Sequence, residues 1–388
     1  MKKYLNRLFL IGVLSFVVLN VIAQDDNYNP IYTAAPSLSI APDARGGGMG
    51  DIGAATLPDV YSQHWNPAKY AFMTSRAGLG VSYTPWLRKL VNDMALIYAS
   101  GYFKLGEEDN QALSASLRYF TMGDVLKTDF NGYEQGTISP YEMAFDVGYS
   151  RKLSETFSGA VALRFIMTDY KTGSGEEVNG TAFAADIAGY NESYVVINNV
   201  ECLLGLGFNI SNIGTKISTA DDSESNFIPT TLRLGGSLTY PLDDYNTLAL
   251  NLDVSKLLVP TPPVKGEDES EDEFKLRRDD YKAISSISGV FKSFGDAPGG
   301  FSEELKEIMW SLGAEYTYDN RFSVRGGYYY ENEMKGNRKY FSFGAGLKMN
   351  VFQIDASYLV STSGTSPLDQ TLRFSIGFEM EGLRNLLK

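Results

Sequence analysis

Cysteine and histidine are almost missing from this chain. Cys202 is the only cysteine in 388 residues, so no internal disulfide can form. His64 is the only histidine. One imidazole and one thiol cannot supply a His/Cys set at metal-ligand spacing, so no metal site is expected. Basic residues are outnumbered, 34 Lys+Arg against 47 Asp+Glu, for a formal charge of −13. A chain so acidic is a poor partner for nucleic acid. After the first residues no stretch of about 18 uninterrupted apolar residues occurs, which excludes a helix spanning a bilayer. No phosphate loop or nucleophile elbow is present. Gly46-Gly47-Gly48 precedes no recognisable strand–helix unit, so no cofactor is expected.

What is present begins with a leader. Lys2, Lys3 and Arg7 precede an apolar stretch from Leu8 to Val21, and Val21-Ile22-Ala23 stands before Gln24. That pattern predicts a secretory signal peptide over 1–23. No cysteine follows the cleavage point, so a lipoprotein anchor is not expected. Losing the three basic residues takes the formal charge from −13 to −16.

From residue 76 onward a two-residue period recurs. In 371–380, Leu372, Phe374, Ile376 and Phe378 alternate with Arg373, Ser375, Gly377 and Glu379. Leu248, Leu250, Leu252 and Val254 oppose Asn251, Asp253 and Ser255 in the same way. Strands of this kind are expected at 76–84, 93–104, 111–120, 140–151, 156–168, 181–189, 200–210, 231–240, 246–256, 308–318, 321–331, 339–349, 351–361 and 371–380. Connections alternate between short, as at 152–155, 241–245 and 319–320, and long, as at 121–139, 211–230 and 257–307; the segment 190–199 is an exception of intermediate length. Short turns on one rim and long loops on the other mark an outer-membrane barrel, with the long loops outside. The expected fold is all-β: a transmembrane antiparallel barrel of about fourteen strands over 76–380, with an N-terminal periplasmic or plug segment over 24–75 and a tail over 381–388. The 25 tyrosines and 22 phenylalanines suit aromatic girdles. Trp86 and Trp310 fall near strand ends and read as interface anchors. Cys202 shares the outward parity of Leu204 and Leu206 and reads as a lipid-facing residue.

The inward faces carry both signs: Arg118, Arg164, Arg233, Arg325, Lys348 and Arg373 against Asp146, Asp186, Asp253, Glu315 and Asp355. Unpaired charges in a low-dielectric lumen are costly. These side chains, with Arg45, are therefore expected to pair with one another or with the insert. Inward glycines such as Gly205, Gly207, Gly344, Gly346 and Gly377 leave room for it. A catalytic His64 would need a nucleophile and an orienting carboxylate within reach; the plainer reading is a packed residue of the insert, and no catalytic residue is assigned. In the loop 257–307, Glu267–Glu273 forms an acidic run and reads as a solvated face. Ile284, Ile287, Val290, Phe291 and Phe294 lie at helical spacing. Ser302 reads as a helix cap. This apolar stripe either folds back on the rim or meets a protein partner. Ile287, Phe291, Phe294 and Phe301 are the candidate partner contacts.

Two passages carry a resemblance. Ala44-Arg45-Gly46-Gly47-Gly48-Met49-Gly50-Asp51 with Asn66-Pro67-Ala68 is similar to the N-terminal signature of FadL-like outer-membrane proteins. The mature chain as a whole, and especially 34–45 and 293–301, resembles the PorV family of type IX secretion systems in Bacteroidota. The resemblance implies a FadL-like barrel of fourteen strands in the outer membrane. It implies partners: the translocon barrel, the C-terminal signal domains of cargo, and the surface sortase PorU. Cargo would be carried from translocon to sortase for attachment at the cell surface. The family is also linked to lipid A O-deacylation, which this sequence supports only through His64. Transport of hydrophobic solutes, as FadL-like barrels perform, is the alternative.

Overall fold

The computed structural model describes residues 28–106, 109–129, 131–170, 179–218, 225–266, 268–363 and 366–380. The leader over 1–23 and the tail over 381–388 lie outside them.

Fourteen antiparallel strands close into one barrel. They are β1 Ala77–Pro85, β2 Met94–Leu105, β3 Gln111–Met122, β4 Tyr141–Lys152, β5 Phe157–Asp169, β6 Asn179–Ile197, β7 Val200–Gly214, β8 Thr231–Pro241, β9 Asn246–Leu257, β10 Ile308–Tyr318, β11 Phe322–Tyr330, β12 Lys339–Lys348, β13 Phe352–Ser361 and β14 Leu372–Glu379. The seam joins β1 to β14 from Gly78↔Glu379 to Tyr83↔Phe374. Closure leaves no strand edge to satisfy inside a bilayer. The alternation decides which way each side chain points. Phe374 and Phe378 stand exposed on the outer surface, while Arg373 and Ser375 between them are buried inside. Leu79, Val81, Phe145, Val147, Leu250 and Leu252 extend the same apolar exterior. No helix among the described residues is long and apolar enough to cross a membrane.

Three differences from the sequence reading have physical causes. Strand β6 runs on to Ile197, so 190–199 is no loop; Asn198 and Asn199 take φ of 52° and 64° and turn the chain within two residues. Asparagine tolerates that left-handed geometry, and the turn hands β6 directly to β7. Asp319 and Asn320 make the same kind of turn, with φ of 51° and 53°. Cys202 keeps its outward parity but is fully buried rather than lipid-facing. Its pair on β6 is Val195, and its thiol lies 3.5 Å from the Val200 carbonyl. Lys348 shares the inward parity yet sits exposed at the short-turn rim, 3.2 Å from Glu379.

The long loops carry structure of their own. Val125–Thr128 and Glu134–Ile138 pair as a hairpin above β3 and β4. In 257–307 the acidic run opens a helix, Glu271–Ala283, with Ser270 and Glu273 forming a reciprocal capping box. Helices Ser286–Lys292 and Phe301–Lys306 follow. Ser302 is not the cap of the last one. Gly300, at φ 67°, turns the chain in two residues earlier and takes that position.

The insert fills the barrel. Its chain starts at the long-loop rim, where the Asn29 amide donates to the Met334 carbonyl (3.0 Å) and the Ala34 amide to the Phe227 carbonyl (2.8 Å). It then descends through the lumen to Ser75 and enters β1. Trp65, Tyr70, Met49 and Ile52 are among its fully buried side chains. Wall glycines admit its backbone: a Cβ on Gly207 would lie 2.1 Å from the Ala54 carbonyl oxygen, and one on Gly327 would lie 2.1 Å from that of Met49.

Candidate functional site

The lumen is a charge network spanning insert and wall. Arg45 of the insert grips Glu315 with two nitrogens, at 3.1 and 3.0 Å, and reaches Asp59 at 2.9 Å. Glu315 also takes a hydrogen bond from Arg325, which continues to Asp355 at 2.6 Å. The chain Asp59–Arg45–Glu315–Arg325–Asp355 therefore ties the insert to β10, β11 and β13. On the opposite wall Arg164 bridges Asp146 (2.6 Å) and Asp186 (3.0 Å). Ser116 donates to Asp146, and the Asn212 amide donates to Asp186. Charge-assisted, paired contacts of this kind offset the cost of burying so many ions.

The remaining inward residues hold the insert's backbone. Arg118 donates to the carbonyls of Ser37 (2.6 Å) and Ile40 (3.0 Å). Asp253 accepts the amides of Gly53 (2.9 Å) and Ala54 (3.0 Å). Arg233 stacks over Trp65 at 4.9 Å. Arg373 lies 3.4 Å from Asp51. Of the inward glycines, Gly205, Gly207, Gly344 and Gly377 face the insert, whereas Gly346 faces the Asp355–Arg325 pair. Gly46 and Gly47 leave space for Trp65 and Arg373, so the triple glycine packs closely and its first amide caps onto Asp43.

Sequence reasoning missed four insert residues. Asp43 caps a short helix and accepts the Trp65 indole N–H at 2.6 Å; burial, with the charge of Asp59, pushes its carboxyl up to about 6. Lys69 donates to the Gly53 carbonyl at 2.9 Å, and burial pushes its amine down to about 8. Asp51 and Asp59 meet the arginines named above. A 24–75 segment without long-range periodicity gives no register, so nothing in the sequence assigns these partners.

His64 stands against the wall. Its Nδ1 lies 3.0 Å from Arg118, and its Nε2 has no hydrogen-bond partner among the described residues. Burial, then the charges of Arg118 and Arg233, hold the imidazole far below its ordinary pKa, so it is neutral. Trp310 is outward as expected, but Trp86 is only half exposed and lines a cavity under the outer mouth.

The outer rim presents the other chemistry. The loop 257–307 is pinned down: Lys256 pairs with Glu304 and Glu307, and Lys335 with Glu303 and Glu307. Gly289 packs on Phe227 and Pro260. The stripe therefore folds back through one face only. Ile287, Phe291, Phe294 and Phe301 stay 68%, 75%, 55% and 78% exposed. All four lie on the outer loop between β9 and β10.

A family model described as "Type IX secretion system protein PorV" matches residues 22–264. No curated protein matches the chain. Among solved structures, the toluene transporter TodX of Pseudomonas putida is similar at TM-score 0.50 and 11% identity, covering 91% of this chain and 99% of that one. A FadL homologue of Pseudomonas aeruginosa reaches TM-score 0.43 at 11% identity, with 91% and 99% covered. The likeness to TodX speaks to the barrel fold and not to what the barrel handles.

Proposed function

The chain belongs to the PorV family of type IX secretion system proteins, and from that premise we propose that it is an outer-membrane shuttle that holds proteins rather than a pore that passes solutes. It binds the C-terminal signal domains of secreted cargo after the translocon barrel releases them and delivers them to the sortase PorU. It carries out no catalysis of its own. The observation that carries this reading is the pairing of an occupied lumen with an exposed aromatic rim. A channel needs a path, and here the insert is bonded to β10 through Arg45, to β3 through Arg118 and to β9 through Asp253. A docking protein needs accessible apolar anchors, and Ile287, Phe291, Phe294 and Phe301 supply them.

Deleting 283–301 is expected to abolish co-purification with cargo or sortase while the barrel keeps its heat-modifiable migration. Unchanged co-purification sends the docking site elsewhere. His64→Ala is expected to leave lipid A acylation unaltered by mass spectrometry, because a neutral imidazole bonded to Arg118 has no nucleophile to activate; a changed acyl pattern would establish an esterase. Uptake of a labelled fatty acid by proteoliposomes would restore the solute-transport alternative.

A further inference from the structure

The hairpin of β6 and β7 runs on past the wall it belongs to. Strand β6 pairs with β5 only as far as Asn191, opposite Phe157, and β7 pairs with β8 only from Leu203, opposite Thr239. Beyond those limits 193–197 has only β7 for a neighbour, and 200–202 has only β6. Five residues of strand span roughly 17 Å. The tip therefore projects from the short-turn rim, the periplasmic side of an outer-membrane barrel.

The free edge of β6 is defined group by group. The Glu192 amide makes the last bond toward β5, donating to the Thr156 carbonyl at 2.8 Å. Main-chain groups two residues apart on a strand point the same way. The N–H and C=O of Tyr194 and Val196 thus point out of that edge, where no described residue meets them. Both side chains keep the inward parity of Asp186 and Ala188, yet they are 69% and 71% exposed, because the lumen has ended. Such edges are normally blunted by proline, lysine or a bulge. Ser193-Tyr194-Val195-Val196-Ile197 has neither residue, and the register shift of the β6–β7 pair lies earlier, between Ala185 and Ile187. A two-stranded ribbon in water is marginal by itself and gains from a third strand.

Charge selects that strand. The tip 192–201 carries Glu192 and Glu201, the turn 153–156 carries Glu155, and the turn 242–245 carries Asp243 and Asp244; none of the three segments holds a lysine or arginine. At the end of β4, Lys152 acts on Glu192 and lies over the Phe72 ring at 4.2 Å, while Arg151 shares the outward parity of Tyr149. The sector stays acidic. A second copy of this chain would bring the same carboxylates edge to edge, and like charges across a strand pair oppose each other. A basic strand answers both the open main-chain groups and the carboxylates.

We propose that the tip of the β6–β7 hairpin is a docking edge for a periplasmic protein, which adds an extended segment of alternating apolar residues with basic ends as a third strand along Tyr194–Val196. The edge lies on the side of the membrane opposite the loop 257–307, so it adds a partner to the shuttle and its outcome does not depend on cargo co-purification.

The test uses the full-length protein in lipid nanodiscs and the fluorescein-labelled peptide Lys-Val-Thr-Val-Thr-Val-Lys, blocked at both ends and read by fluorescence anisotropy. The controls are the same peptide with glutamate for lysine and the same peptide N-methylated throughout. The lysine peptide is expected to bind at least tenfold more tightly than either control. Val196→Pro removes an N–H from the free edge and none from the β6–β7 ladder. It is expected to weaken binding at least tenfold while the barrel keeps its heat-modifiable migration. Should that variant misfold, the double variant Glu155→Gln, Glu201→Gln carries the test; it is expected to reduce the preference for the lysine peptide over the glutamate peptide at least threefold, and an unchanged preference overturns the charge argument. No binding of the lysine peptide up to millimolar concentration, equal binding of the N-methylated peptide, or binding that survives a folded Val196→Pro overturns strand addition. Equal binding of the glutamate peptide overturns the basic partner. A dimer in sedimentation that Val196→Pro dissolves assigns the edge to a second copy and overturns the proposal as well.

Discussion

At the scale of single residues, Glu315 matters most because two arginines share it. Glu315→Gln leaves Arg45 and Arg325 buried against a neutral amide. Breaking one partner of a buried network costs about 3–5 kcal/mol, so the variant is expected to lose its folded migration at a clearly lower denaturant concentration than the parent. Lys69 gives a pH dependence whose sign is fixed. Its folded-state pKa is lowered from 10.5 to about 8, so between these values the unfolded chain holds more protons. Stability therefore rises with pH across that window, and the full cost of the buried charge is felt below pH 8. Lys69→Met removes this contribution. Denaturant midpoints at pH 7.5 and 9.5 are expected to separate further in the parent than in the variant; equal separations would place Lys69 in contact with water. The inward sign pattern of wall residues such as Glu315 was legible from parity alone. Which charge meets which was not, because Arg45 finds Glu315 only through a fold that brings positions 270 apart in sequence together.

At the scale of elements, period-two alternation placed the strands because lipid and lumen demand opposite side chains on the two faces of one ribbon. Where that contrast fades the reading shortened β6, whose far half beyond Gly189 mixes Tyr190, Glu192 and Tyr194 and extends to an asparagine turn. Helices in the outer loop were only partly legible. Ser286–Lys292 carries a local apolar stripe, but Glu271–Ala283 exposes polar groups nearly all round and is announced chiefly by its capping box. That helix buries no side chain, so its order depends on its ends. Ser270→Ala is expected to weaken it by about 1 kcal/mol. Hydrogen exchange over 271–283 should quicken while the strands stay protected; unchanged exchange would mean the loop's ion pairs hold it instead.

At the scale of the whole molecule, an outer-membrane barrel with an apolar exterior encloses a polar interior that its own N-terminal segment occupies. The direction of that segment was not legible, since a stretch ahead of the first strand can enter from either rim. Its hydrogen bonds settle the matter: Asn29 and Ala34 sit among the long loops, and Tyr28 is 62% exposed there. Tyr28→Cys is expected to react with a membrane-impermeant maleimide on intact cells, against a silent background because Cys202 is fully buried. Labelling only after the outer membrane is opened would reverse the orientation.

The same path constrains how the molecule is made. The segment that leaves the inner membrane first finishes farthest from it, strung through a ring whose last stave is the final strand. A bead cannot be threaded once the ring is shut, so the β1–β14 seam must join around an insert already laid lengthwise. A stably folded cargo fused ahead of residue 28 should jam that step and yield unclosed, protease-sensitive chains, whereas the same fusion behind residue 380 should mature normally.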